Sequence, residues 1–261
     1  MKRTAAILIA LALITAACSD DDTSGIDATV ASAPTGTSAT TSATTTEAPI
    51  ATAAEALDPV TVSLTTADGL ALDATVYPGG PDWVVLAHMR PGDKTSWAEL
   101  ATLFQAEGYS VLAYNNRGYG ASEGDREPFD LLIDATAALE YATARGARGI
   151  VFGGASMNGA AAMTLGAAND FDAIFLLSGV PSFPSAPDAS DFLPDVEEPI
   201  LFVAAEDDGS AASDARSYAD VAPLSELIVL SAGGHGTRML EAEPDLGSRI
   251  VEWVFQAGMN S

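Results

Sequence analysis

The pattern of apolar and polar positions changes character near residue 57. Before it lie one short apolar run, 5–17, and then a Ser-, Thr-, Ala-, Asp- and Pro-rich stretch, 19–56, with scarcely a large apolar side chain. Beyond it, apolar runs recur with the periods of secondary structure. Residues 60–65 and 70–77 alternate about Ala67-Asp68-Gly69, which predicts a β-hairpin. Residues 83–87 (WVVLA) form a continuous apolar run, the pattern of a strand buried on both faces of a parallel sheet. Ser96-Trp97-Ala98-Glu99 fits a capping box opening a helix to about Glu107, where Gly108 ends it. Residues 110–114 read as the next strand, and Pro128 opens a helix that runs to about Ala144 and stops at Gly146. A glycine-bounded strand from Gly149 then reaches Ser156, followed by a small-residue helix, 160–168. Further strands are predicted at 173–177, 200–204 and 227–230, with helices near 211–221 and from Arg238 to the C-terminus. A hairpin followed by alternating strands and helices predicts a mostly parallel sheet covered on both faces. Such sheets gather their functional side chains at the carboxyl ends of the strands.

Composition sharpens this picture at the N-terminus. Lys2-Arg3, the apolar run and Ile14-Thr15-Ala16-Ala17-Cys18 have the layout of an export signal, and the run is shorter than the ~20 residues of a membrane-spanning helix. Small residues before the single cysteine resemble a bacterial lipobox, with lipidation expected at Cys18; Thr15 departs from that pattern, so ordinary secretion with cleavage after Ala17 stays open. The expected organisation is therefore a signal (1–18), a disordered tether (19–56) and a folded domain (57–261). The protein is expected outside the cytoplasm, touching a membrane only through its N-terminal lipid anchor. One cysteine excludes an internal disulfide. A formal net charge of -25, from 36 acidic and 11 basic residues, disfavours nucleic-acid binding by repulsion of phosphate backbones.

Ser156 stands between strand and helix, where a hydroxyl is lifted off the sheet and helix N–H groups face a developing oxyanion. A plain helix cap would use the same residue. A serine nucleophile needs a base of near-neutral pKa, and the chain has two histidines, His88 and His235. His235 lies in a glycine-flanked loop after strand 227–230, whereas His88 ends strand 83–87. The base needs an acid partner, and Glu206, Asp207 and Asp208 follow strand 200–204.

The motifs Gly154-Ala155-Ser156-Met157-Asn158-Gly159, Asn116-Arg117-Gly118-Tyr119-Gly120-Ala121-Ser122, Ala205-Glu206-Asp207-Asp208 and His235-Gly236 together resemble the α/β-hydrolase superfamily over about 60–259. Among its members the small, lidless esterase and dienelactone-hydrolase-like group is the nearest in pattern. The resemblance implies a three-layer α/β sandwich with an N-terminal antiparallel hairpin and no large cap domain. It also implies Ser156 as nucleophile, Asp208 rather than Asp207 as acid, and His235 as base. The oxyanion hole implied is the backbone N–H of Met157 and that of Arg90, with His88 and Arg117 structural. Met89 and Asn158 stand where the family has glycine, so a strained but formed elbow is expected around Ser156.

The function expected is cleavage of a small ester-like substrate through an acyl-enzyme, with no metal and no cofactor. An acyltransferase using the same triad, or a non-catalytic envelope binding module, remains the alternative. Four prolines (Pro181, Pro184, Pro187, Pro194) break segment 178–198, which predicts no lid helix and a preference for short acyl groups. Its Asp188, Asp191, Asp195, Glu197 and Glu198 are expected to repel anionic esters.

Overall fold

Strands β1 (Val60–Thr65) and β2 (Ala71–Tyr77) form the expected hairpin, with Leu64 opposite Leu72 and Gly69 at φ 89° in the turn. The computed structural model describes residues 57–191 and 193–258. The expected export signal, the expected lipidation site Cys18 and the expected tether lie outside the described residues. The remaining strands are β3 (Asp82–Ala87), β4 (Ser110–Tyr114), β5 (Gly149–Ala155), β6 (Ala173–Leu177), β7 (Ile200–Ala205) and β8 (Ser225–Leu230). They form one sheet in the order β1-β2-β4-β3-β5-β6-β7-β8, antiparallel through β4 and parallel from there on.

Alternate side chains of these strands feed two cores. Phe152, Ile174, Leu176, Ile200 and Phe202 point to one face, covered by α2 (Leu131–Ala144), α3 (Met157–Gly166) and α4 (Ala211–Ala219). Val151, Phe175, Leu177, Leu201 and Val203 point to the other, covered by α1 (Ala98–Ala106), α5 (Arg238–Ala242) and α6 (Leu246–Gly258). Burial on both faces is why these strands read as unbroken apolar runs. The expected three-layer sandwich without a large cap is thus the observed architecture.

Several element boundaries differ from the sequence reading, three of them for an identifiable reason. The helix at 96–107 is preceded by a 3₁₀ turn, Lys94–Trp97, capped by Asp93 rather than Ser96. Asp93 Oδ1 accepts from the Thr95 N–H at 2.8 Å, and the Ser96 hydroxyl donates to the Asp93 carbonyl instead. The helix expected to open at Pro128 begins at Leu131, because Phe129 and the Leu131 N–H are engaged by the segment after β6. The C-terminal helix is two helices, α5 and α6. Pro244 forces Glu243 into an extended conformation (φ -122°, ψ 95°) and breaks the run.

The order of the strands positions the site. The chain steps outward from β3 to β4 and then returns to β5 on the other side of β3. The loops leaving β3 and β5 therefore diverge, and a crevice opens between them at the carboxyl edge.

Candidate active site

Ser156 occupies that crevice at the end of β5, in a backbone conformation (φ 51°, ψ -112°) that side-chain-bearing residues rarely adopt. Such a residue costs of order 1–3 kcal/mol and persists only where its surroundings fix it. Here the Ser156 N–H donates to the Leu177 carbonyl at 3.0 Å, and its own carbonyl accepts from Gly159 at 2.8 Å and Val180 at 3.2 Å. Close approach of the chains requires glycine on both sides. A Cβ on Gly154 would lie 2.8 Å from the Asn158 carbonyl oxygen, and one on Gly159 would lie 2.5 Å from the Gly179 Cα. The elbow is therefore formed, and Gly159 allows the contact with the neighbouring loop. Asn158 itself is helical and fully buried, and its Nδ2 donates to the His88 carbonyl at 2.7 Å. A glycine at that place has no such tie to the end of β3.

The three residues read as a triad meet across the strand ends. His235 Nε2 lies 2.7 Å from Ser156 Oγ, and His235 Nδ1 lies 2.8 Å from Asp208 Oδ2 and 3.0 Å from Oδ1. With Asp208 accepting the Nδ1 proton, Nε2 is left as the acceptor facing the serine hydroxyl. Ser156 is 9% exposed, and the His235 side chain 32%, so the hydroxyl is reachable while most of the relay is sheltered.

The neighbouring carboxylates serve other ends. Asp207 Oδ1 accepts from the Gly233 and Gly234 N–H groups, both at 3.0 Å, and so shapes the loop that carries His235. Glu206 pairs with Arg216 at the surface. On the far side of that loop, the Gly236 N–H donates to Ser178 Oγ at 3.0 Å. Met89 packs beneath, its sulfur 2.5 Å from where a Cβ on Gly236 would stand, so a side chain there would have to displace Met89 and hold a strained backbone (φ 61°).

His88 is fully buried and distant in role. Its Nδ1–H donates to the Met89 carbonyl at 2.8 Å, and its Nε2 accepts from the Asn116 N–H at 3.1 Å. Burial lowers its pKa to about 4 against the pull of the Met89 carbonyl, so the ring is neutral and both nitrogens are spent on backbone. Arg117 braces loops in the same way. Its guanidinium and backbone N–H bind Asp134, with contacts of 2.8–2.9 Å, and a second arm reaches Asp68 at 2.9 Å.

Met157 is the first residue of α3, and neither its N–H nor that of Arg90 donates to a described protein acceptor. Both are thus available to a ligand oxygen. The Arg90 guanidinium faces outward, 3.8 Å from Glu127 and 5.6 Å above the Phe129 ring. Phe129 meets Phe183 edge-on at 4.8 Å, and both pack on the cluster of Tyr119, Leu131, Met157 and Ala161. An aromatic wall therefore stands against the residue that follows the nucleophile.

Segment 178–199 does not stay at the crevice. It leaves the carboxyl end of β6 and must reach the amino end of the parallel β7, burying Ala189, Leu193 and Val196 on the way. Of its carboxylates, Glu197 sits at the opposite edge of the sheet from the triad. There it lines a cavity of about 590 Å³ with Pro199, Leu224 and Trp253, far from the triad. Among the described residues, no group of three or more His, Cys, Asp or Glu side chains is placed to hold a metal ion, and no helix is long and apolar enough to cross a membrane.

Sequence reasoning passed over Ser178 and gave no task to Asp207. The one available signal was that Ser178, like Ser156, directly follows an apolar strand.

Comparison with known proteins agrees with this architecture. The alpha/beta hydrolase family matches residues 78–197. An uncharacterized protein of Mycobacterium tuberculosis is 34% identical over 84 residues, 31% of this chain and 30% of that protein, so the chain matches less than a third of its curated relative's length. An esterase from Exiguobacterium antarcticum superposes with a TM-score of 0.65 at 16% identity, covering 75% of this chain and 99% of the other. The Pyrococcus furiosus esterase Pf2001 gives 0.64 at 18% identity, over 76% and 91%. Est1E of Butyrivibrio proteoclasticus, solved with ferulic acid, gives 0.67 at 16% identity, over 77% and 100%. At such identities these likenesses establish the fold: this chain has the α/β-hydrolase fold without a large cap.

Proposed function

Starting from that fold, we propose that the protein is a serine hydrolase that cleaves a small carboxylic ester through an acyl-enzyme. The observation that carries this reading is the continuous relay from Ser156 Oγ through His235 to Asp208, with contacts of 2.7 and 2.8 Å, at the switch point of the sheet. Ser156 Oγ attacks the substrate carbonyl as His235 Nε2 takes its proton. The Asp208 carboxylate holds the ring in that orientation and stabilises the imidazolium. The carbonyl oxygen, now negatively charged, receives the N–H groups of Met157 and Arg90. His235 returns the proton to the departing alcohol, leaving the acyl group on Ser156. Water then attacks the acyl carbon as His235 takes its proton, and His235 returns that proton to Ser156 Oγ as the acid departs. The esterase character of the structural relatives supports the choice of an ester over other acyl bonds.

Labelling with a fluorophosphonate probe tests the reading. Wild type should label at Ser156, and Ser156→Ala and His235→Ala should not, since nucleophile and base act as one unit. Absence of labelling in folded wild type would turn the assignment to a non-catalytic binding module.

A further inference from the structure

Only two non-glycine residues among those described have φ in the left-handed region, and both are serines at adjacent strand ends: Ser156 (51°) and Ser178 (50°). The first is the candidate nucleophile. The second is 3% exposed and has no contact assigned to the chemistry. A left-handed position at a strand end is one that glycine fills without strain. A serine kept there implies that its hydroxyl supplies something glycine lacks.

That hydroxyl accepts the N–H of Gly236, the residue after His235, at 3.0 Å. Ser178 is itself anchored where the three parts of the relay converge. Its N–H donates to the Val203 carbonyl of β7, the strand leading to Asp208, at 2.8 Å. The residue before it, Leu177, accepts the Ser156 N–H at 3.0 Å. Ser178 thus ties the histidine loop to the sheet between the nucleophile and acid strands. On the other side of His235, Asp207 grips Gly233 and Gly234. The imidazole is carried on a glycine-rich loop whose freedom is removed from both ends.

We propose that Ser178 is a positioning residue for His235: its Oγ, bonded to the Gly236 N–H, sets the height and tilt at which Nε2 meets Ser156 Oγ. This rests on the serine-hydrolase reading. A small displacement of a general base lowers turnover while leaving substrate binding untouched, whereas a merely structural serine would affect stability alone.

Ser178→Gly separates the two roles, because it deletes the hydroxyl and at the same time relieves the backbone. The variant should melt within a few degrees of wild type. Loss of one backbone-to-hydroxyl bond in the loop should lower kcat on a p-nitrophenyl short-chain ester by about tenfold, with KM little changed and fluorophosphonate labelling slowed in parallel. In an Asp208→Ala background, where His235 has already lost its orientation, the same substitution should cost less than about threefold, since the two act through one group. A Ser178→Gly variant within twofold of wild type in kcat overturns the proposal, as does an equal loss in both backgrounds. Wild type that neither labels nor turns over the ester overturns the hydrolase reading and this inference with it. A labelled wild type beside an unimpaired variant overturns this inference alone.

Discussion

His88 makes the stability of this protein acid-sensitive between its ordinary pKa and its lowered one. The folded chain holds the ring fully buried and neutral, with a pKa lowered from 6.5 to about 4, chiefly by burial. The unfolded chain protonates it near its ordinary value. Between those values the unfolded state binds more protons, so stability falls as pH falls; above pH 6.5 the contribution is complete, and below 4 it is lost. The full loss corresponds to about 3 kcal/mol. Between pH 8 and pH 5 it amounts to about 2 kcal/mol. For a domain of this size that lowers Tm by about 4–8 °C. Urea unfolding followed by tryptophan fluorescence at pH 8, 6 and 5 measures the slope, and His88→Gln should flatten it. Because the chain has only two histidines, the ring can also be followed directly by NMR. Its carbon-bound proton should keep its neutral position down to about pH 4. Equal pH slopes for wild type and variant, or a His88 ring titrating near 6.5, would refute the reasoning.

Asp208→Asn should reduce turnover by orders of magnitude through loss of tautomer control on His235, measured as kcat on a short-chain ester. Asp207→Asn should be mild, because the amide oxygen still accepts from Gly233 and Gly234; a reversal of these two outcomes would move the acid by one place. Along an acyl series, kcat/KM should level off at short chains against the Phe129–Phe183 wall. Phe183→Ala should extend the rise, each newly accommodated CH₂ adding ~0.8 kcal/mol, or about fourfold; an unchanged profile would place the acyl group elsewhere. Discrimination against an anionic ester should be small, since Arg90 and Arg126 stand on loops beside Phe129 and Tyr119 and offset the carboxylates of segment 178–198. A strong low-salt penalty on the anion would contradict this. Cys18→Ser should release a membrane-associated protein into the medium if Cys18 is lipidated; equal release of both forms, by fractionation and immunoblot, would point to ordinary secretion.

Local pattern alone determined the elements and their class. The runs at β3, β5, β6 and β7 are unbroken because both faces are buried, and Gly108 and Gly146 end helices by taking φ near 91° and 81°. The order serine, carboxylate, histidine along the ends of β5, β7 and β8 was legible too, because each follows an apolar run with strand character. What lay beyond local reading were the facts that join residues distant in the chain. Periodicity does not register a one-residue offset inside the turn after β7; the family resemblance pointed to Asp208, and the folded loop shows what each carboxylate does, Asp208 facing His235 and Asp207 facing Gly233 and Gly234. The resemblance already favoured His235 over His88 as the base, but the full burial of one ring and the 2.7 Å between the other and Ser156 Oγ are tertiary facts. Asn158 looked like a defect in the elbow until the end of β3, 70 residues away, was seen to accept its amide. The place of Ser178 after a strand hinted at a role but not at which one, because its partner, Gly236, is 58 residues further on and is brought to it only by the packing of β6, β7 and β8. Secondary structure follows from each residue's neighbours in the chain, but a site is made of neighbours in space, and only the closed sheet assigns those.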